Sequence, residues 1–379
     1  MRIASVNVQN FRNIESAALT FRGTRYFFQG KNAQGKTNLL EALSLVTAVR
    51  SFRTHESGDL ICHGRADCAL RFCLEHESEG EIELLLRLSR KGKRIFLDGL
   101  RIEKLSEVVG RFPTVVFSSP DDQILRGSPA VRRRFMDFVI SSMDRSYCEA
   151  LRNYHRALES RNRLLKGIFV DAEIEAFEWQ IALAAVIMVK TRGLWAEIFG
   201  EKASRFYADS SGSGEVLEFG YKADLAIADE GEYFARISAL RERDAVLQAT
   251  SRGPHRDDLS IRIDGQDARP FASEGQQRGC VIALRLAQVA WFYEVSGVLP
   301  VILIDDILGE LDGERSERFW ASLPRDMQVF ATGTENLAIS DREEWDIIGV
   351  KAGNFTCGEM DDGPVESLKR PGGKRIWEG

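Results

Sequence analysis

The sequence has no apolar run long enough to cross a bilayer, because its longest, Ile181–Val189, falls far short of the roughly 20 residues required. Its six cysteines form no Cys-x-x-Cys pair and its five histidines do not cluster with them, which argues against a zinc site or disulfide framework. Met1–Ser5 lacks the apolar core of a signal peptide. The formal net charge is only −6 over 379 residues, which excludes a histone-like DNA-coating role. We therefore expect a cytoplasmic globular protein with no membrane partner.

The chain combines two β-rich ends with a helical middle. Strands are predicted through the first third, with one helix at 36–50, and strands return at 259–263, 301–304 and 328–331. Residues 129–247 have helical spacing, and Ser210–Gly214 is predicted to be a surface loop. We expect strands from both ends to complete one sheet. Within the helical part, apolar residues follow a heptad spacing over about three heptads, at positions 174, 177, 181, 184, 188, 195 and 198.

Residues 30–37 fit the phosphate-binding pattern G-x-x-x-x-G-K-[ST] between a predicted strand and a predicted helix, which is the required context. The glycines allow backbone N–H groups to turn toward phosphate oxygens. Lys36 is expected to reach the β- and γ-phosphates and Thr37 to ligate Mg²⁺. The predicted ATP-binding residues are Gly30, Lys31, Asn32, Ala33, Gln34, Gly35, Lys36 and Thr37.

Two carboxylates, Asp305 and Asp306, follow the apolar residues 301–304. At the carboxyl end of a buried strand, Asp305 is placed to hold Mg²⁺ through its water shell, beside the Thr37 ligand, and Asp306 to polarise an attacking water. The alternative is a strand followed by an acidic turn. Because a phosphate loop lies upstream, we predict that both aspartates are catalytic.

A third motif, residues 273–278, precedes an apolar helix and lies upstream of the 301 strand. A serine hydroxyl and free N–H groups at a helix start suit an anion. In ABC-type ATPases such a signature caps the γ-phosphate bound to the opposite subunit; alone, it is equally a helix N-cap. The predicted signature residues, acting on the partner subunit, are Ser273, Gly275, Gln276, Gln277 and Arg278.

These motifs occur in an order that closely resembles the RecF family of bacterial recombination mediators. Further segments carry the resemblance across most of the chain: Asn10–Asn13, Asn38–Ala42, Arg50–Thr54, Val116–Ser118, Arg132–Phe135, Tyr154, Arg161–Lys166 and Gly253–Asp258. Individually several are weak, but their order is specific.

The resemblance implies an α/β fold: an ABC-type ATPase head of mixed β-sheets and helices, like those of structural-maintenance-of-chromosomes ATPases, with an inserted α-helical arm. Residues 1–120 and 248–379 are expected to form the ATPase domain and 121–247 the arm. ATP and Mg²⁺ are the implied cofactors. The implied activity is that of an ATP-dependent homodimer that binds DNA, single- or double-stranded, at gaps or junctions and works with RecO and RecR to load RecA.

Two departures from related families bear on turnover. The family usually has Ser-Glu-Leu-Asp after the two aspartates, whereas this chain has Gly309 before the predicted D-loop residues Glu310, Leu311 and Asp312. The switch histidine of ABC transporters is absent, and Thr332–Thr334 stands in its place. A short Asp306 without that histidine predicts slow, DNA-stimulated hydrolysis, as in a switch or clamp.

The candidate DNA contacts are basic side chains of the helical region. An arginine row at 152, 156 and 163 shares one helix face, although such charge runs are commonly solvated surface. We expect contacts to phosphates and not to base edges. The predicted DNA-binding residues are Arg132, Arg133, Arg134, Arg152, Arg156 and Arg163.

Two other functions share the nucleotide motifs: the ATP-binding subunit of a transporter, and a nuclease-coupled defence ATPase. The long helical insertion and the missing histidine argue against the transporter. The segment after Ala331 is too short for an appended nuclease domain. DNA-stimulated ATPase activity without DNA cleavage would separate the alternatives.

Overall fold

The computed structural model describes residues 1–49, 51–54, 56–104, 107–167, 169–211, 214–306, 313–334 and 344–357. Its strands are β1 (Arg2–Phe11), β2 (Ile14–Thr20), β3 (Arg25–Gln29), β4 (Asp67–His76), β5 (Gly80–Ser89), β6 (Gly92–Leu97), β7 (Leu100–Ile102), β8 (Thr114–Ser118), β9 (Leu217–Lys222), β10 (Asp258–Ile263), β11 (Gln266–Asp267), β12 (Val301–Asp305), β13 (Val329–Gly333), β14 (Asp346–Lys351) and β15 (Asn354–Cys357).

Its α-helices are α1 (Lys36–Ala48), α2 (Gln123–Arg126), α3 (Pro129–Met143), α4 (Arg145–Leu164), α5 (Asp171–Ser211), α6 (Glu230–Ala239), α7 (Arg241–Leu247), α8 (Ala268–Phe271), α9 (Glu274–Ser296) and α10 (Gly313–Ser322). The chain divides into two compact units, one of Met1–Ser119 with Phe292–Gly379 and one of Pro120–Trp291. Among the residues described, no helix is both long enough and apolar enough to span a membrane.

The first unit contains two six-stranded sheets. One is antiparallel, in the order β2-β1-β4-β5-β6-β7. In β5 the alternating residues Ile82, Leu84, Leu86 and Leu88 are all buried, as their period of two predicts. Asp98 and Gly99 both have positive φ in the tight turn that joins β6 to β7, which confirms the predicted hairpin.

The second sheet of this unit positions the site. Its order is β15-β14-β3-β13-β12-β8, and the five strands from β14 to β8 are parallel. Strands from both ends of the chain complete it, as predicted. Because the strands are parallel, the carboxyl ends of β3, β12 and β13 lie at one edge. One hydrophobic cluster joins the inner faces of both sheets through α1, with Leu40 and Leu43 fully buried.

The second unit consists of helices and a small antiparallel sheet in the order β11-β10-β9. Its longest element, α5, has 41 residues and is therefore about 60 Å long. It is longer than the predicted heptads require. Of those heptad positions, Ile198 is 43% exposed, unlike Ile174, Ile181 and Trp195, which are buried. Ser210 and Ser211 extend α5 instead of beginning the predicted loop.

The second unit includes residues 248–291, which the sequence interpretation assigned to the ATPase domain. The reason lies in pairing. β10 pairs with β9 from Asp258↔Lys222 to Ile263↔Leu217. The Asp258 carboxylate also receives the Arg132 guanidinium of α3, with Nε to Oδ1 at 2.6 Å. These contacts explain why the segment before the signature motif is part of the second unit and not of the first.

Candidate functional site

The loop between β3 and α1 has the conformation that its glycines permit. Gly35 has φ +113° and Ala33 has φ +63°. A Cβ at Gly30 would lie 2.4 Å from the Val350 carbonyl oxygen, so no larger residue fits there. One at Gly35 would lie 2.9 Å from Asn13 Oδ1. Tight turning and close packing therefore both account for the two glycines of the motif.

Lys36 and Thr37 begin α1 and point their polar atoms into the site. The Lys36 side chain is buried, and its Nζ donates to the carbonyl oxygens of Gly30 at 2.7 Å and Lys31 at 3.2 Å. The Thr37 hydroxyl donates to Asp305 Oδ1 at 2.8 Å. The two motifs, far apart in the sequence, therefore meet through a direct hydrogen bond.

Thr332, at the end of β13, joins the two aspartates. Its hydroxyl oxygen lies 3.1 Å from Asp305 Oδ1 and 3.3 Å from Asp306 Oδ1, and it accepts from the Asp306 amide at 3.0 Å. A hydroxyl has one hydrogen to donate, so the two carboxylates share it. Asp306 has φ +56°, a left-handed conformation that aspartate tolerates better than most residues.

Burial raises the pKa of the Asp305 carboxyl above its ordinary value. The hydrogen bond from Thr37 opposes this effect, and the neighbouring Asp306 carboxylate adds to it. A carboxylate under these conditions gains from a nearby cation. Together with the Thr37 hydroxyl it forms a pair of hard oxygen donors, which is the chemistry that Mg²⁺ prefers, so these residues fit the predicted metal.

A cleft of about 380 Å³ is lined by residues 32–37 of the phosphate loop and by Asp306. The predicted site residues Gly30, Lys31 and Asp305 are not among its lining residues. The cleft also includes Asn13, Asn38 and Arg53, which the sequence did not identify as site residues. The lining residues are Asn13, Asn32, Ala33, Gln34, Gly35, Lys36, Thr37, Asn38, Arg53 and Asp306.

Two of the additional side chains, Arg53 and Asn38, are linked to Glu41, a fully buried carboxylate on α1. Arg12 binds it with both Nε and Nη2, at 2.9 and 2.8 Å, and Arg53 Nη1 lies 3.2 Å from it. Arg53 also donates to Asn38 Oδ1 at 2.8 Å. A buried carboxylate requires such partners. The signal available in the sequence was this glutamate on the buried face of a helix, with arginines in the segments before and after it.

The signature residues belong to the second unit and do not line this cleft. Ser273 is exposed immediately before α9 and forms a capping box with Gln276. The Ser273 amide donates to Gln276 Oε1 at 2.7 Å, and the Gln276 amide donates to Ser273 Oγ at 3.3 Å. Gln277 accepts from Arg126 Nε at 2.6 Å. Gly275 and Arg278 lie in the same first turns of α9. The predicted D-loop residues Glu310, Leu311 and Asp312 lie outside the described residues.

The predicted DNA-binding arginines do not share one environment. Arg132 is only 1% exposed and paired with Asp258, which corrects its interpretation as a DNA contact: its charge is neutralised inside the fold. Arg133 is half-buried, donating to the Asp257 carbonyl oxygen at 2.7 Å, and burial lowers its pKa. Four others are exposed, one on α3 and three along α4: Arg134, Arg152, Arg156 and Arg163.

The parallel sheet with a phosphate loop and paired aspartates at its edge has the architecture of a P-loop head domain, the fold class of the ABC-type and structural-maintenance-of-chromosomes heads. A family profile described as "RecF/RecN/SMC N terminal domain" matches residues 2–353. The chain belongs to the RecF family.

Named relatives agree over most of the chain. DNA replication and repair protein RecF of Moorella thermoacetica is 34% identical over 339 residues, covering 88% of this chain and 90% of that protein. The Listeria monocytogenes protein of the same name is 31% identical over 350 residues, covering 89% and 94%.

Solved structures agree as well. The structure described as the recombination mediator protein RecF–ATP in the RecFOR pathway has a TM-score of 0.87 and 29% identity, covering 94% of this chain and 97% of that one. The Smc head domain from Pyrococcus furiosus, solved with the C-terminal domain of ScpA, has a TM-score of 0.51 at 17% identity, covering 94% and 95%, and shares the fold.

Proposed function

We propose that this protein is an ATP-dependent DNA-binding switch of recombinational repair and replication-fork maintenance. The observation that carries the proposal is the meeting of Thr37 with Asp305, beside Lys36 and Asp306, at one edge of the sheet. The relatives named DNA replication and repair protein RecF, and the ATP-bound RecF structure, support the same role.

In the proposed reaction, this chain's residues bind and orient ATP. The loop 30–37 offers backbone N–H groups and the Lys36 ammonium to the phosphates. Mg²⁺, held by Thr37 and Asp305, would neutralise phosphate charge. Asp306, which lines the cleft, accepts a hydrogen bond from the attacking water and polarises it. An aspartate reaches less far than a glutamate, so turnover is slow, as a switch requires.

ATP also drives the proposed homodimer. The Ser273 hydroxyl and the first amides of α9 would face the γ-phosphate bound to a second copy, since a helix N-terminus favours an anion. Gly275, Gln276, Gln277 and Arg278 complete this proposed contact, and the D-loop residues Glu310, Leu311 and Asp312 would cross the same interface.

The proposed DNA contact is the exposed face of α4. Arg152, Arg156 and Arg163 are exposed at positions four and seven residues apart on α4, so their side chains share a face, and the exposed Lys166 follows just after the helix ends. The row includes one acidic residue, Glu159, which pairs with Arg163 at 3.4 Å. The row is therefore predominantly basic, which suits successive backbone phosphates. Arg133 and Arg134 on α3 are secondary candidates.

The proposed pathway role is to bind gapped or junction DNA while ATP is bound and to help RecO and RecR load RecA. It is tested by RecA filament formation on gapped DNA with RecO and RecR present. The chain should accelerate filament formation in ATP, and Lys36→Ala should not.

The first test of the proposal measures ATP binding, DNA-stimulated hydrolysis and DNA cleavage together. Lys36→Ala removes the ammonium directed at the phosphates and should weaken ATP binding at least about a hundredfold. Lys104→Ala is the matched control, because its side chain is exposed and it does not line the cleft. ATP hydrolysis with DNA cleavage would instead favour the nuclease-coupled alternative.

The second test measures DNA affinity across a salt series. Arg152→Ala and Arg156→Ala should each lower affinity and reduce the salt slope by roughly 0.9, the value for one phosphate contact. Arg262→Ala, an exposed arginine of β10, is the control. An unchanged slope in both α4 variants would rule out this face.

A further inference from the structure

A stripe of large apolar side chains lies exposed along α5, outside every site described above. Its members are 39% to 64% exposed, and at 3.6 residues per turn they lie within an arc of about 100° along some 28 Å of helix. The opposite side of α5 is the buried side, with Ile174, Ile181, Met188 and Trp195. The stripe, called the α5 stripe below, consists of Trp179, Leu183, Ile187, Leu194 and Ile198.

Single exposed apolar residues are ordinary, but five within one arc indicate an interaction surface, although the exposed Lys190 and Glu197 also lie within that arc. The row is extended sideways by Phe234 of α6, which packs edge-to-face on Trp179 with ring centroids 5.1 Å apart. A large aromatic side chain such as Trp179 is typical of the part of a protein–protein contact that becomes buried.

Four of the five residues of the α5 stripe pair with one another when a second copy of the helix runs in the opposite direction. In an antiparallel pair with its dyad between residues 188 and 189, Trp179 faces Ile198 and Leu183 faces Leu194. Ile187 faces the aliphatic part of Lys190, whose ammonium can extend past the apolar surface to water. A two-fold contact requires such a self-complementary surface, whereas a foreign partner does not.

The charges beside the stripe select the same orientation. Glu173 and Arg205 are both exposed, at opposite ends of α5 and on the same edge of the stripe. In an antiparallel pair, Glu173 of each copy lies beside Arg205 of the other, so opposite charges meet twice. In a parallel pair, like charges would meet at both ends.

We propose that the α5 stripe is a self-association surface that pairs two copies of this chain antiparallel, without nucleotide. This surface uses other residues than the proposed ATP-dependent contact, and it does not require ATP. A chain with both surfaces forms two distinct kinds of dimer.

The test is sedimentation velocity without nucleotide over a concentration series, on the wild type and on Lys36→Ala. Both should associate, because this contact does not use ATP. Leu183→Glu and Leu194→Glu should each weaken association at least roughly tenfold, since a carboxylate would be buried in an apolar contact. Val246→Glu is the matched control, at an apolar residue 85% exposed on α7. A wild type that stays monomeric, or association unchanged in both stripe variants, overturns the proposal.

A charge exchange tests the orientation independently of any folding defect. Glu173→Arg and Arg205→Glu should each weaken association several-fold, and the double variant should restore it, because opposite charges meet again in exchanged positions. Failure of the double variant to restore association contradicts the antiparallel pairing. If the wild type is monomeric and a chain ending at Cys357 associates through the stripe, residues 358–379 are its occupant and the proposal is wrong.

Discussion

The Thr332 hydroxyl lies within hydrogen-bond distance of two carboxylates, so its removal would affect the hydrogen bonding of both. Asp305 and Asp306 share its hydrogen, and the Asp306 amide donates to its oxygen. A side chain of the same shape without the hydroxyl would donate no hydrogen bond to either carboxylate, so the two carboxylates would repel each other more strongly. The Asp306 amide would also lose its hydrogen-bond acceptor. Thr332 is thus a positioning residue for the aspartates.

We predict that Thr332→Val binds ATP nearly as the wild type does but hydrolyses it roughly tenfold more slowly, the effect of about 1.4 kcal/mol in the barrier. Thr332→Ser, which keeps the hydroxyl, should retain most activity. Single-turnover hydrolysis and nucleotide affinity measured on both variants give the result. Equal rates of ATP hydrolysis in Thr332→Val and the wild type would show that Thr332 does not position the aspartates for hydrolysis.

At this scale, the sequence predicted the residues whose chemistry is local. Lys36 and Thr37 follow a contiguous pattern, and Asp305 follows an apolar run. Arg53 and Thr332 were not predicted as site residues, because their roles arise from partners distant in the chain. Arg53 is held at the cleft by its contact with the buried Glu41. Thr332 reaches the aspartates because its strand, β13, pairs with β12.

At the scale of elements, α4 and α5 are joined by charges inside the fold. The Arg161 guanidinium, fully buried, binds Glu178 Oε1 at 3.0 Å and Asp244 Oδ2 at 2.8 Å. Glu178 also receives Arg241 Nη2 at 2.7 Å. Such pairs are costly to break, because removal of one partner leaves a buried charge uncompensated.

The pKa of Glu178 carries a pH-dependent part of this stability. Burial alone raises its pKa, but hydrogen bonds from Arg241 and Ser238 and the charge of Arg161 outweigh burial and lower it below the ordinary 4.5. A lowered folded-state pKa stabilises the fold above about pH 4.5, and that stability is lost as the pH falls further.

We predict that Glu178→Gln lowers the free energy of unfolding by roughly 3 kcal/mol at pH 7, and by progressively less as the pH falls below 4.5. Urea titrations at pH 7 and at a series of lower pH values measure this. Glu159→Gln breaks only a surface pair and should change stability by less than about 0.5 kcal/mol. A Glu178→Gln loss independent of pH would contradict the linkage.

Elements with a strong period were well predicted, and long-range charge pairing was not. β3 begins and ends where its apolar residues indicate, and Pro129 starts α3 as expected. In the sequence, Arg132 and Arg161 resemble solvated surface charges. In the structure both are buried and form ion pairs with carboxylates more than fifteen residues away in the chain. The residues of α5 after the heptads remain helical because Trp195, Phe199 and Phe219 of β9 pack together.

At the scale of the whole molecule, each complete ATP site in the proposed dimer requires residues from two copies of the chain. We predict that Ser273→Arg binds ATP nearly normally, since this exposed residue does not line its own chain's cleft, but fails to form the ATP-dependent dimer. A bulky cation would obstruct the proposed approach to the second copy's γ-phosphate. Light scattering in ATP measures this. Ser16→Arg, at an exposed serine of β2, is the control. A normal ATP-dependent dimer in Ser273→Arg would contradict the composite site.

The proposed switch binds DNA while ATP is bound, so ATP hydrolysis should release the DNA, and Asp306→Asn tests this consequence most directly. Asp305 and Thr37 remain, so the variant should bind ATP and dimerise. Hydrolysis should fall at least about a hundredfold, because the water loses the carboxylate that polarises it. Asp326→Asn, at an exposed carboxylate, should behave as the wild type.

The decisive measurement is the DNA dissociation rate of Asp306→Asn and the wild type, in ATP and in ADP at constant salt, beside single-turnover hydrolysis. The account predicts slower dissociation of the variant in ATP and equal rates of the two proteins in ADP. Lost hydrolysis with an unchanged dissociation rate in ATP would contradict it.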